Sequence, residues 1–367
     1  MDFTFTPEQE QLRASVAGYL RDRHDFATRQ AVVASASGRN EPLWRDFADL
    51  LGLLSLTGAD GAPDPFDILV VMQELGAALV GEPFLETVVT AGALLQASDG
   101  ERARELLEGI AAGTQIVAFA GSEPGTRLCW RPSATRVESD GDGWRISGVK
   151  SMVGAAPWAT TLLVSAATPT GTSLFAIAPD TAGATLHPYR TIDGRRAADL
   201  RLAGVRVGAR DLIGSEGGAL HAIDAALDAT IAALCAEALG VMRRILDNTI
   251  AYTRARRQFG QSVAGFQALQ HRMVEMFMKI EMATSATYLA TMKLGAPASE
   301  RAMTVSSAKV LVGEACRFVG QSGVQLHGGM GMTEELAVGH YFKRATVIEG
   351  LLGTSDDHLA RYMALVE

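Results

Sequence analysis

The chain has 367 residues, too many for one small core and enough for two or three packed modules. Hydrophobic residues make up 48% and charged residues 20%, the balance of a globular protein rather than a disordered or fibrous one. A net charge of −8 without a long Lys/Arg run argues against a nucleic-acid partner, and an anionic ligand would need local basic groups.

Cys129, Cys235 and Cys316 stand far apart, odd in number and outside any CxxC pair. That spacing argues against a disulfide framework or a zinc site, so no metal is expected. The first six residues lack the basic and apolar regions of a signal peptide. No stretch reaches the ~20 uninterrupted apolar residues of a membrane span. The expected location is the cytoplasm, with no membrane partner.

The first third reads as helices. Thr6 can cap, Pro7 suits a first turn and Gln9 can close a capping box. Leu12, Val16, Tyr19 and Leu20 follow at helical spacing, and Trp44, Phe47, Leu50, Leu51 and Leu54 repeat the pattern. Further helices are predicted over 66–80, 87–97 and 101–112. Near Gln115 the character changes. Residues 115–120 form a short apolar run that ends in a turn, and beyond it predicted strands over 135–138, 144–147, 161–166, 173–178 and 200–205 alternate with Gly/Asp turns. After Gly214 long helical patterns return, over 219–256, 266–294 and 300–322. The expected fold class is therefore α+β and multidomain: an N-terminal helical domain (1–114), a middle β domain (115–213) and a C-terminal four-helix bundle (214–367).

Two motifs in the last part carry chemistry. Arg254, Arg256 and Arg257 end one helix, Phe259 and Gly260 follow, and Phe266-Gln267 opens the next. Clustered guanidinium groups at such a turn can form an anion pocket, or they can simply cap the helix dipole. The second motif, from Gly323 through Gln325, His327, Gly328 and Gly329 to Gly331, holds four glycines in nine residues. It reads as a backbone that lets a ligand approach closely, or as a helix-ending turn.

Taken together, these motifs resemble the acyl-CoA dehydrogenase family along essentially the whole chain. Phe5-Thr6-Pro7-Glu8-Gln9, Met72 to Gly76, Glu82-Pro83-Phe84, Ser122-Glu123-Pro124-Gly125, Gly148-Val149-Lys150, Arg256-x-x-Phe259-Gly260 and Gln325-x-x-Gly328-Gly329 match its pattern. The segment Gly339 to Arg344 is similar to small subunits of pimeloyl-CoA-type and related heteromeric dehydrogenases. The resemblance implies a middle domain that is β-barrel-like and an FAD cofactor at a subunit interface. It implies α,β-dehydrogenation of an acyl-CoA substrate, with an electron-transferring flavoprotein as acceptor. It assigns FAD contacts to Arg256, Phe259, Phe266, Gln267, Gln325, Gly328, Gly329 and Thr354, with Arg256-x-x-Phe259 and Gln325-x-x-Gly328-Gly329 reaching across to a neighbouring subunit.

The same resemblance exposes departures. The family's catalytic glutamate lies about twenty-five residues beyond His327, which here is Leu352, and Gly353-Thr354 keep the register. Glu349 falls three residues early and reads as a decoy. The base position used by some relatives is Thr230, followed by Ile231 in place of an arginine. Asp228 is the nearby acid, and Glu237 reads as structural. Arg127-Leu128-Cys129 and Met152-Val153-Gly154 replace residues that would hold the flavin ring. The chain keeps what it would lend to a neighbour and loses what it would use itself, which points to the base-lacking partner of a homologous dehydrogenase subunit in a heteromer. The other readings are an active homo-oligomer with Asp228 or Glu349 as base, and a flavin-free scaffold.

Overall fold

The computed structural model describes every residue except 1–4, 60, 127–131, 142 and 367. In chain order, helices α1 (Pro7–Arg23), α2 (Phe26–Ala34), α3 (Glu41–Asp49) and α4 (Pro65–Ala77) come first. A π-helical segment (Phe84–Ala91) then leads into α5 (Gly92–Gln96) and α6 (Glu101–Ala111). Eight strands follow: β1 (Val117–Ala120), β2 (Arg136–Asp140), β3 (Gly143–Gly154), β4 (Thr161–Thr168), β5 (Gly171–Ile177), β6 (Ala184–Arg190), β7 (Arg196–Val207) and β8 (Leu212–Ile213). The remainder holds α7 (Leu220–Ala255), the small hairpin β9 (Arg257–Gln258) and β10 (Gln261–Ser262), then α8 (Gln267–Met292), α9 (Ala298–His327), α10 (Ala337–Gly350) and α11 (Ser355–Val366). The chain is thus α+β, with a sheet in the middle and helices towards the C-terminus.

The start of α1 follows from its sequence. Thr6 Oγ1 accepts the Gln9 N–H at 3.2 Å, and Gln9 Oε1 accepts the Thr6 N–H at 3.1 Å, the reciprocal capping box. α7 is long and apolar enough to cross a membrane, but 89% of its apolar window is buried inside the protein.

By internal contacts the chain divides into two units, one of Met1–Ala31, Pro65–Val80 and Ile231–Glu367, the other of Val32–Asp64 and Gly81–Thr230. The second contains the sheet, in the order β6-β7-β3-β2-β4-β5-β8, with β1 also parallel to β4. Among the described residues its pairing leaves β6 and β8 as free ends and forms no closed ring. Inward residues of alternate positions, such as Ile146, Leu162, Val164, Phe175, Leu200 and Val205, form its core.

In the first unit, close approach of helix backbones decides the packing. A Cβ on Gly240 would lie 1.9 Å from the Gln73 carbonyl oxygen, and one on Gly76 would lie 2.2 Å from the Glu237 carbonyl oxygen. Glycine on both sides lets α4 and α7 touch. Beside that contact, Arg344 of α10 donates twice to the Glu237 carboxylate, at 2.8 and 2.7 Å, both groups almost fully buried. Glu237 is thus a structural anion.

α9 packs against α8, α10 and α11, and its residues Gly323 and Gly313 lie against Ile245 of α7 and Ser355. From α9, fully buried Lys309 donates to the carbonyls of Ile348 (2.9 Å), Glu349 (2.8 Å) and Gly353 (2.8 Å). His358, also fully buried, holds the same loop through Nε2 to the Leu352 carbonyl at 2.9 Å, with Nδ1 3.3 Å from Ser306 Oγ. Asp357 accepts from the Thr354 N–H and hydroxyl, at 3.0 and 2.7 Å.

Two predictions follow from this packing. Gly240→Ala should lower stability by about 1–3 kcal/mol, because a backbone atom and not a flexible side chain occupies the space. Gly295→Ala, where nothing lies within 4 Å, should change it by less than about 0.5 kcal/mol. Denaturant midpoints of the two variants test the contrast, and equal effects would contradict it.

The second prediction concerns acid. Burial lowers the His358 imidazole from 6.5 to about 4, only partly offset by its bond to the Leu352 carbonyl. Between those values the unfolded chain holds the proton and the folded chain does not. The neutral histidine's contribution is therefore complete above pH 6.5 and declines as pH falls towards 4. Unfolding free energies of wild type and His358→Gln across that window should differ in slope by up to about 1.4 kcal/mol per pH unit. Parallel curves would show that His358 does not titrate on unfolding.

Candidate functional site

The arginine and glycine motifs meet at one end of the helices. The Tyr252 ring, one turn before Arg256 on α7, stacks on the His327 ring at the end of α9, with centroids 4.4 Å apart. Arg272 of α8 reaches Ser322 Oγ of α9 at 3.4 Å. His327 is held below the usual imidazole value by burial, against the opposing effect of its 2.8 Å bond to the Gly323 carbonyl. The neutral ring donates from Nδ1 and acts as a packing element.

The second motif is not all turn. Gly323 to His327 continue α9, and only Gly328 to Met332 form the 3₁₀ turn. The four glycines divide accordingly. A Cβ on Gly323 would meet Ile245 at 2.5 Å, and one on Gly331 would meet the Val324 carbonyl oxygen at 2.8 Å, so both serve packing. Gly328, at φ +62°, and Gly329 have nothing within 4 Å and leave backbone open to a ligand.

The first motif forms the β9–β10 hairpin, whose tip is Phe259 at φ 52° and Gly260 at φ 80°. Phe259 is 90% exposed and meets Phe266 edge-on at 6.1 Å. Arg256, Gln267 and Gln325 are exposed, and their side chains make no hydrogen bond among the described residues. Beside them, a groove of about 430 Å³ runs between α7 and α8, lined by Arg254, Ala264 and Gln270 with Leu246, Ile250 and Phe277. This end offers guanidinium and carboxamide donors, open backbone and an aromatic face, the set that suits a phosphate-bearing ligand with an aromatic part.

The loop with Leu352 lies elsewhere. Lys309, which anchors it, precedes Gln325 by 16 residues of α9, or about 24 Å along the helix axis. Leu352 itself sits at φ 59°, a conformation unfavourable for a branched side chain, and the anchors described above hold it there. Glu349 does not present a free carboxylate: Oε1 accepts from Arg317 at 2.8 Å. Thr354 caps α11.

Asp228 and Thr230 belong to the unit that contains the sheet. Asp228 is 1% exposed. Thr230 Oγ1 donates to the Ala226 carbonyl at 2.7 Å and lies 2.9 Å from Thr90 Oγ1. In the same unit, buried Lys150 meets Glu123 at 3.1 Å. Burial raises the Glu123 carboxyl, but the N–H groups of Ala134, Ser133 and Thr135 outweigh it and hold the group well below the carboxylate range. Lys150 is lowered to about 8 by burial, against the opposing charge of Glu123. The pair fixes the Gly121–Gly125 turn. Met152, at φ 53°, is 61% exposed, and its N–H donates to Asp199 at 3.0 Å. Arg127-Leu128-Cys129 lies outside the described residues. Cys235 and Cys316 are buried and free, and burial pushes each thiol up to about 12, so neither is a ready nucleophile.

Sequence reasoning passed over Lys309 and His358. The available signal was a lone lysine on the apolar face formed by Val305, Ala308, Val312 and Ala315.

Comparison with known proteins agrees with this architecture. Residues 118–205 match the acyl-CoA dehydrogenase middle domain, and residues 217–364 match the acyl-CoA dehydrogenase C-terminal domain. Acyl-CoA dehydrogenase IpdE2 of Mycolicibacterium smegmatis is 30% identical over 365 residues, 98% of this chain and 99% of that protein. The Tcur3481-Tcur3483 steroid ACAD superposes with a TM-score of 0.88 at 28% identity, over 98% of this chain and 97% of the other. The ChsE4-ChsE5 complex from Mycobacterium tuberculosis gives a TM-score of 0.90 at 26% identity, over 100% and 99%. With both domain signatures present and a relative matched end to end, the chain belongs to the acyl-CoA dehydrogenase family.

Proposed function

We propose that this chain serves α,β-dehydrogenation of an acyl-CoA thioester as the base-lacking partner subunit of an FAD-containing heteromer. The observation that carries the reading is Leu352. The loop at the family's base position is anchored by Lys309, His358 and Asp357 and keeps its unusual backbone, yet it presents an aliphatic side chain. A leucine cannot take the α-proton, and on this reading a carboxylate of another chain takes it. Glu349 is engaged by Arg317, and Thr230 has a hydroxyl where some relatives have an acid.

The exposed end of α7, α8 and α9 fits the part of an FAD lent across an interface. Arg256 would donate to pyrophosphate oxygens, Gln267 and Gln325 would donate carboxamide N–H groups, and Gly328 and Gly329 leave room for close backbone approach. Phe259 and Phe266 would cover an aromatic face and exclude water. FAD, when bound, supplies the acceptor for the β-hydrogen. The distance of about 24 Å along α9 between this end and the Leu352 anchor supports their belonging to different active sites. Two of the structural relatives bear paired-chain names, which supports a heteromer. An electron-transferring flavoprotein fits as the onward acceptor.

Two substitutions test this. Arg256→Ala removes a charge-assisted contact of roughly 1.5–3 kcal/mol and should weaken FAD retention by the assembled enzyme without unfolding it. Equilibrium dialysis measures this, and unchanged flavin content would refute the assignment. Glu349→Gln should leave turnover of the assembled enzyme within about tenfold of wild type, since the side chain serves Arg317. A loss of several orders of magnitude with FAD still bound would make Glu349 the base.

A further inference from the structure

The unit of Met1–Ala31, Pro65–Val80 and Ile231–Glu367 holds another cavity, of about 450 Å³, that none of the expected FAD contacts lines. Its walls are the end of α1, the start of α2, the end of α4, the middle of α7 and the start of α10. That volume suits a small organic ligand.

Two polar side chains on these walls, His24 and Asn248, make no side-chain hydrogen bond among the described residues. His24 is 4% exposed, and neither of its ring nitrogens has a hydrogen-bond partner. Burial, with the charge of Arg29, lowers its imidazole to about 4, against the opposing charge of Asp25, so the ring is neutral and offers one donor and one acceptor. Leaving both unmade is costly, and such groups call for a water or a ligand. Arg244 and Asn248 lie one turn apart on α7 and so share a face. Arg244 has no carboxylate partner among the described residues and stands beside the Tyr341 hydroxyl. The Asn248 carboxamide makes no hydrogen bond among the described residues.

The acids of the cavity are already committed. Asp25 caps α2 through the Thr28 N–H at 2.8 Å, and Glu74 faces Arg13 at 3.9 Å. Among the described residues two cations line the space, Arg21, 3.5 Å from Asp22 at the exposed end of α1, and Arg244. The lining also holds apolar Leu20 and Leu79, the latter at φ 52°. A guanidinium and a carboxamide in a lining with aliphatic side chains match an oxyanion with a short hydrocarbon body.

We propose that this cavity is a second binding site, for a small aliphatic carboxylate, with the carboxylate on Arg244 and Asn248 and the hydrocarbon against Leu20 and Leu79. The site is independent of the flavin motifs. An inorganic oxyanion would use the same donors but leave the apolar side chains uncovered.

Calorimetric titration of the full-length chain with butyrate, butyramide and inorganic phosphate tests this, with the ring-nitrogen NMR shifts of His24 followed in parallel. Butyrate should saturate one site per chain and move the His24 signals. Butyramide and phosphate should each bind at least about tenfold more weakly. Arg244→Met should weaken butyrate by about tenfold or more, Asn248→Leu should weaken it several-fold, and Arg256→Ala should leave it unchanged. If Arg244→Met does not fold, Asn248→Leu and the His24 signals decide. Absence of saturation, binding of butyramide or phosphate as tight as butyrate, full affinity in the folded variants, or loss of binding in Arg256→Ala would each overturn the proposal.

Discussion

Lys309 is fully buried, and the three carbonyls that receive its ammonium protons all belong to the end of α10 and the loop beyond it. An ammonium removed from water is tolerated only when its hydrogen-bonding capacity is met, and these carbonyls would themselves be orphaned at a helix C-terminus without it. The interaction therefore ties α9, α10 and α11 to one loop conformation. His358 and Asp357 add bonds to Leu352 and Thr354 of the same loop. Whatever side chain stands at position 352 is presented by this scaffold, and here it is leucine. On the function proposed above, the scaffold is present without a group for proton transfer.

Backbone strain follows the same division. Among the described residues, the non-glycine positions at positive φ are Leu79, Met152, Ala155, Phe259 and Leu352. Phe259 belongs to the motif at the exposed helix end, Met152 to the segment expected at the flavin ring, Leu352 to the loop that Lys309 and His358 anchor, and Leu79 to the wall of the second cavity. Such conformations persist only where surrounding contacts over-determine them, and they concentrate where function sets the geometry. The β9–β10 hairpin illustrates this. Phe259 and Gly260 turn it, and the ring is left in solvent where a neighbouring chain or ligand could cover it.

Much of the helical architecture was legible because its signals are local. The capping box at Thr6 is formed by the residues that announce it, and α7 and α8 begin and end within a few residues of their apolar periodicity. Less visible were elements specified by contacts far away in sequence. β6 has no apolar run and contains Pro188, yet it pairs with β7 along its length. The helix expected over 87–97 instead starts at Phe84, and its first part, Phe84–Ala91, adopts π-helical geometry before α5. α9 runs through Gly323 because Ile245 needs the missing Cβ, a requirement no local pattern states. The candidate site divides in the same way. Arg256, Phe259 and Gln325 were legible as a spaced motif, whereas the Lys309 anchor and the cavity at His24 exist only after helices distant in sequence have packed.

The proposed function requires this chain to contact an FAD whose proton-abstracting carboxylate lies on another chain. Counting flavin per chain, after expression alone and after co-expression with a homologous dehydrogenase subunit, tests it most directly. The account predicts poor flavin retention and no dehydrogenation by the lone chain, and one productive FAD per unlike pair. One tightly bound FAD per chain with steady acyl-CoA dehydrogenation by the lone protein would contradict it and return the search for a base to Asp228 and Glu349.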